Sequence, residues 1–243
     1  QVCPNQTQPG FTGWGSHAEL VALHAADANL VAVPDDLSDE AAASLGCRFA
    51  TAFRAVRARA DVRPDEWVAV FGAGGVGLSA VMIARSLGAR VVAVDRSPEA
   101  LALASGLGAE ATLVASEDDA SHIVALTGGG AHVTIDAVGT AETSTNGILA
   151  LRRRGRHVQI GLLAAEELPR LPLDRVIAWE LDVLGSHGMA ARDYGDILAF
   201  VADGTLRPQD LVTGVVSLEE GARLLPLTDA APPTGITVIR PSR

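Results

Sequence analysis

The chain has 243 residues, 48% of them hydrophobic, with nineteen basic and twenty-nine acidic side chains and a formal net charge of −10. That length suits one large domain or two modest ones, and the apolar content excludes a disordered polypeptide. The acidic balance argues against nucleic acid or an anionic membrane as a partner. All of the basic residues are arginine. The absence of lysine excludes Schiff-base chemistry and the P-loop ATPases, whose phosphate cradle needs one. The two cysteines, Cys3 and Cys47, are too few for a disulfide framework. With no signal peptide and no apolar run of about 18 residues, the expected compartment is the cytoplasm. The chain opens at Gln1 without Met and is expected to be processed or the rear part of a longer polypeptide.

Residues 1–34 are rich in Gly, Pro, Thr and Asn and then alternate weakly over 18–33. They predict a loop followed by short strands, closed by Pro34. Residues 37–60 predict helix, with Ser38 as N-cap and Asp39 and Glu40 in the first turn. Gly46 near the middle predicts two helices or one bent helix. From Trp67 onward a regular alternation predicts strands over 67–71, 90–95, 111–115, 132–138, 156–161 and 182–186. Helices are predicted over 76–87, 98–107, 119–126 and 141–151. The first two strands are almost wholly Val and Ala, as in a sheet covered on both faces. Pro98 lies in a first turn, and Gly88, Gly108 and Gly155 fall just past helix ends. Such repetition predicts an α/β fold with right-handed crossovers and a doubly wound parallel sheet. Beyond 187 the rhythm breaks. A helix over 192–202 ends at Gly204, a Pro-containing turn follows, 217–225 reads as helical and 235–240 as the last strand. This tail is expected to pack with the N-terminal segment as a second domain, which divides the chain into 1–48, 49–187 and 188–243.

The strongest local signal is Phe71-Gly72-Ala73-Gly74-Gly75-Val76-Gly77, a GxGxxG spacing between a strand and a helix. The first glycine permits the tight turn, the second lets a pyrophosphate approach the backbone, and the third allows close helix–strand contact. The helix N-terminus then faces the phosphates. Asp95 closes the next strand, where its carboxylate can accept from both ribose hydroxyls and would repel a 2′-phosphate. This points to NAD over NADP, with Arg96 beside it as the counter-signal. The plainer reading of Asp95 is a solvated strand end. Taken alone, Cys47 reads as a small buried hydrophobe, and neither cysteine has a partner at zinc-ligand spacing.

The order of several stretches is more specific than any one of them. Gln1-Val2-Cys3-Pro4-Asn5, Gly15-Ser16-His17-Ala18-Glu19, Ala42-Ala43-Ser44-Leu45-Gly46-Cys47, residues 72–77 and Leu184-Gly185-Ser186-His187-Gly188 together resemble the zinc-dependent alcohol dehydrogenases of the medium-chain dehydrogenase/reductase family. The resemblance runs over essentially the whole chain. It implies a Rossmann domain beside the remnant of a second, mostly β, GroES-like domain. It also implies NAD and zinc as cofactors, an alcohol or aldehyde as substrate, and a homo-oligomer (dimer or tetramer) formed through the last sheet strand.

Residue by residue, Cys3 matches a structural-zinc cysteine, and Cys47 matches the third protein ligand of the catalytic zinc. Thr51 matches a side chain near the nicotinamide, and Val76 matches the residue behind its ring. Ala137, Val138 and Gly139, then Ile160, Gly161 and Leu162, and finally Ser186 and His187 match the strand ends that line the cofactor cleft. The departures are also specific. The family's other zinc ligands precede the point where this chain begins, so the resemblance implies an incomplete ligand set. Ile236 stands where many relatives have a basic residue reaching the pyrophosphate. Two rival readings follow: an NAD-binding fragment without turnover, and a zinc-free quinone reductase of the same superfamily, which Cys47 and Asp95 both count against. Arg152, Arg153 and Arg154 read as a helix end answering the helix dipole, and His187 as a backbone contact more than a proton relay. His17, His24, His122, His132 and His157 have no metal-like spacing.

Overall fold

The computed structural model describes residues 2–166, 168–228 and 233–241. The chain divides into two compact units, Cys47–His187 and a second made from Gln1–Gly46 with Gly188–Arg243.

Among its described residues, the first part of the second unit carries the short helices α1 (Ala26–Asn29) and α2 (Asp39–Ser44). Ser38 caps α2, its Oγ accepting from the Ala41 N–H at 3.3 Å. The backbone leaves helical geometry at Gly46 (φ −62°, ψ −150°), which is the expected bend. The strands expected over 18–33 do not form. A strand needs a partner edge for its N–H and C=O groups. Among the described residues this segment has none, and Leu20, Leu30 and Val33 stay exposed.

The unit Cys47–His187 begins with α3 (Ala50–Arg54) and then builds the sheet. Its elements are β1 (Trp67–Phe71), α4 (Gly75–Ser86), β2 (Arg90–Asp95), α5 (Pro98–Gly106), β3 (Ala111–Val114), α6 (Asp119–Leu126), β4 (Ala131–Asp136), α7 (Ala141–Leu149), β5 (Leu151–Gln159), α8 (Leu173–Trp179) and β6 (Asp182–Gly185). The six strands are all parallel, in the order β3-β2-β1-β4-β5-β6. The chain therefore moves outward from β1 in one direction and, after β3, from β4 in the other. Right-handed crossovers then put α4 and α5 on one face and α7 and α8 on the opposite one. Every residue of β1 is buried, as are Val91, Val92, Ala93 and Val94 of β2. One side of this core gathers Trp67, Ala69, Phe71, Val92, Val94 and Ile123. Truncating the fully buried Ile123 to alanine would cost about 2–5 kcal/mol.

Two features differ from expectation. The helix α8, between Pro172 and β6, was not foreseen. The helix ahead of β5 also ends earlier than predicted, so Arg152, Arg153 and Arg154 lie in β5 and cap no helix. There Ala131 pairs with Leu151 and Val133 with Arg156, so the strand bulges over 152–155. Arg153 stacks 5.0 Å from the Trp179 ring centroid, and Arg154 pairs with Glu180 at 3.0 Å.

The tail completes the other unit with α9 (Tyr194–Ala202), β7 (Val212–Ser217), α10 (Leu218–Leu224) and β8 (Ile236–Arg240). The strands β7 and β8 pair in parallel, a geometry that requires the α10 crossover. Gly221 lets α10 lie against β8, since a Cβ there would sit 2.5 Å from Ile239. Within this unit the Tyr194 hydroxyl donates to the Leu45 carbonyl at 3.1 Å, and Arg240 pairs with Glu40. Ile236 is buried in β8.

Candidate dinucleotide-binding site

All six strands run the same way, so their carboxyl ends share one edge of the sheet. β1 and β4, where the direction of winding reverses, lie at its centre. A doubly wound sheet binds its ligand beyond that edge, at the reversal. The residues expected to contact the cofactor fall there by chain position. Gly72 follows β1, Asp95 ends β2, Ala137 follows β4, Ile160 follows β5 and Ser186 follows β6.

The glycine loop shows three separate geometries. Gly72 has φ +89°, where an L side chain is strained, and a Cβ on it would lie 2.7 Å from Val138 Cγ2. Gly77 has no room, because a Cβ would sit 1.7 Å from the Gly72 carbonyl oxygen. Gly74 is exposed, and a Cβ there would meet nothing within 4 Å. The first and third glycines thus close the turn against itself, and the second leaves open space. The N-cap of α4 is Gly74, which offers no side-chain cap, whereas α5 is capped by Ser97 and α7 by Thr140. The uncapped first turn leaves backbone N–H groups and the positive end of the helix dipole available to an anion. Gly75 and Val76, the first helical residues, are half-buried.

Asp95 does more than the sequence suggested. Its Oδ2 accepts from the Ala73 N–H at 2.6 Å and its Oδ1 from the Ser97 N–H at 2.8 Å. The carboxylate therefore ties the glycine loop to the end of β2, and its remaining lone pairs are those left for a ligand. Arg96 beside it is exposed.

The loops after β4 and β5 meet through their backbones. A Cβ on Gly139 would lie 2.5 Å from the Leu162 carbonyl oxygen, and one on Gly161 would lie 2.3 Å from the Gly139 nitrogen. Val138 and Leu162 expose their side chains, Ala137 and Ile160 are half-buried, Ser186 is buried and His187 is exposed. Thr51 is buried in α3, which packs on α4.

The residues behind these loops were missed. Asp136, fully buried at the end of β4, gathers five donors. Its Oδ1 accepts from the N–H groups of Val138 (2.8 Å) and Gly139 (2.9 Å). Its Oδ2 accepts from the hydroxyls of Thr143 and Ser144, both at 3.0 Å, and from Gln159 Nε2 at 2.9 Å. Gln159 also donates to the Gly161 carbonyl at 2.9 Å. The available signal was a carboxylate closing a buried strand, the pattern of Asp95 repeated two strands along the sheet.

Cys3 and Cys47 are both exposed, so Cys47 is not the buried hydrophobe that it suggests when read alone. Among the described residues no three His, Cys, Asp or Glu side chains gather in a way that could hold a metal ion. A catalytic zinc needs three protein ligands and an open position, so these residues do not fit one.

The matches to known proteins agree with this geometry. Residues 75–203 match the family model described as zinc-binding dehydrogenase. Over 206 residues the chain is 33% identical to an alcohol dehydrogenase of Geobacillus stearothermophilus, covering 85% of this chain and 60% of that protein. A crystal structure of an NAD-dependent alcohol dehydrogenase superposes with a TM-score of 0.87 at 33% identity, over 98% of this chain and 69% of that one. The alcohol dehydrogenase of the hyperthermophilic archaeon Aeropyrum pernix also gives a TM-score of 0.87, at 30% identity, over 99% of this chain and 69% of that one. The chain spans 60% and 62% of the length of the two G. stearothermophilus alcohol dehydrogenases that it matches.

Proposed function

Since the chain belongs to the zinc-binding dehydrogenase family, we propose that it binds NAD at the carboxyl edge of its six-stranded sheet and acts in the interconversion of an alcohol with an aldehyde or ketone. The observation that carries this reading is the glycine loop: closed at Gly72 and Gly77, open at Gly74, and continued by a helix with no side-chain cap. When bound, NAD supplies the hydride acceptor. The chain's own part is to hold it. The backbone N–H groups at the start of α4 face the pyrophosphate, and Asp95 receives the adenosine ribose hydroxyls and disfavours a 2′-phosphate. Val76 with Thr51 forms the wall that orients the ring. Ala137, Val138, Gly139, Ile160, Gly161, Leu162, Ser186 and His187 line the nicotinamide side, and Arg96 flanks the ribose. We place the protein in the cytoplasm on its cysteine content, and as a homo-oligomer paired along β6, the last strand of the sheet. None of its described helices is long and apolar enough to cross a membrane.

Cys47, and Cys3 for a structural ion, are the zinc ligands that the family would use, and among the described residues neither belongs to a group of three or more side chains that could hold a metal ion. That observation favours a second reading, in which the chain holds NAD without turning an alcohol over.

The test is an NAD titration followed by fluorescence of Trp14, Trp67 and Trp179, with zinc content measured on the same sample and alcohol oxidation assayed at 340 nm. Saturable binding supports the site, and its absence refutes it. Turnover with stoichiometric zinc supports the enzyme, whereas binding without either supports the second reading.

A further inference from the structure

Two of the loops at the sheet edge are shaped by a buried group, Asp136, that lies behind them. None of the five donors around Asp136 is a cation, so the side chain is compensated only by backbone, hydroxyl and amide dipoles. Three of those donors are N–H groups, which can only donate. Burying a carboxyl group in this way is costly, and the cost is offset by five donors that an apolar residue would leave unpaired. What an apolar residue cannot do is turn two consecutive N–H groups, those of Val138 and Gly139, back toward the strand. Nor can it draw the Gln159 amide across to the next loop.

The backbone repeats the link. The Asp136 carbonyl accepts from the N–H groups of both Ile160 and Gly161 at 2.9 Å. One residue thus fixes the turn after β4, the turn after β5 and, through the Gly139–Gly161 contact, the spacing between them. Val138, whose N–H donates to Asp136 Oδ1, also packs beside Gly72.

A dinucleotide spans the two mononucleotide-binding halves of such a sheet, with the adenosine half on β1, β2 and β3. The loops that Asp136 holds belong to the other half. We infer that Asp136, bridged by Gln159, is a positioning residue for the nicotinamide half of the cofactor. It acts by fixing the backbone of 137–139 and 160–162, with no contact of its own to the ligand. The inference rests on the proposal that this chain binds NAD.

The experiment compares two ligands that differ only in the nicotinamide. Wild type, Asp136→Asn and Gln159→Leu are titrated calorimetrically with NAD and with ADP-ribose, and their melting temperatures are recorded. In Asp136→Asn an amide replaces Oδ2 and turns its hydrogens toward the Gln159 amide. NAD affinity is expected to fall by about tenfold or more, equivalent to about 1.4 kcal/mol, with ADP-ribose affinity held within about twofold. Gln159→Leu should show the same selectivity with a smaller loss, and it decides the matter if Asp136→Asn does not fold. Equal losses for both ligands, or no loss for either, would overturn the positioning role and leave the NAD reading intact. If the wild type binds neither ligand, the NAD reading fails and this inference with it.

Discussion

Substituting alanine for Gly74 and for Gly77 separates folding from binding at two positions three residues apart. At Gly77 the added Cβ would overlap the Gly72 carbonyl group, lying 1.7 Å from its oxygen and 2.8 Å from its carbon. Both obstacles are main chain, so no rotamer relieves them and the strand–helix junction must open. Overpacking of this kind costs about 1–3 kcal/mol, and backbone displacement belongs at the upper end or beyond it. For a chain of this size about 3 kcal/mol corresponds to a melting temperature roughly 6–12 °C lower. At Gly74 the Cβ meets nothing, and the backbone (φ −79°, ψ −172°) is open to any residue. Reduced freedom of the unfolded chain favours alanine by about 0.4–1 kcal/mol. The poorer N-cap quality of alanine opposes this by a similar amount. The net change should stay within about 1 kcal/mol, or roughly 2–4 °C. Binding behaves the other way round. A methyl group in the open space displaces the pyrophosphate from one or two N–H donors, and NAD affinity should fall by about ten- to hundredfold. Differential scanning fluorimetry and calorimetric titration on the same samples provide both readings. A Gly74→Ala variant that binds NAD like the wild type, or that melts as early as Gly77→Ala, would refute the assignment of roles within the loop.

Asp95→Ala removes the acceptor for Ala73 as well as the proposed ribose contact. NAD affinity should fall by about ten- to hundredfold while NADP affinity changes little, and an unchanged ratio of the two in parallel titrations would count against Asp95 as the discriminating group. His157 is buried between Thr134 and Gln159, and burial holds its pKa below the usual 6.5. The ring is therefore neutral when folded and takes up a proton on unfolding near neutrality. Stability should be intact above pH 6.5 and decline as pH falls below it, by at most about 1.4 kcal/mol per pH unit for this group. His132 is shifted the same way by burial, so His157→Asn should reduce the slope of stability against pH without abolishing it. At the sheet edge, Val183 of β6 is 41% exposed. Val183→Lys is expected to convert a dimer to a monomer by light scattering, and a wild type that is already monomeric would refute pairing along β6.

The alternating half of the sequence was legible because each local signal agreed with its neighbours. Val and Ala runs marked β1 and β2 to the residue, and Asp119–Leu126 was read as the helix it is. The glycine spacing identified a loop whose three glycines do separate jobs. Elsewhere the local signal competed with a tertiary one. Among the described residues Val212–Ser217 pairs only with β8, and its β-branched residues were lost beside Pro208. Residues 18–33 have strand composition and, among the described residues, no partner strand. Arg152, Arg153 and Arg154 looked like a helix end, because a bulge in β5 and a stacking tryptophan in α8 have no sequence signature of their own. Asp136 was overlooked for a different reason. Its role depends on donors from α7 and β5 that come together only when the sheet is assembled.

The contact between Gly139 and Gly161 has a bearing on engineering. Where two loops meet through side chains, their separation drifts with every substitution and rotamer change. Here the gap is set by main-chain atoms, whose radii do not vary. Libraries that randomise Val138, Ile160 and Leu162 would therefore alter the chemistry of the surface without altering its frame, so long as the two glycines are kept. The pair serves as a fixed datum for redesign.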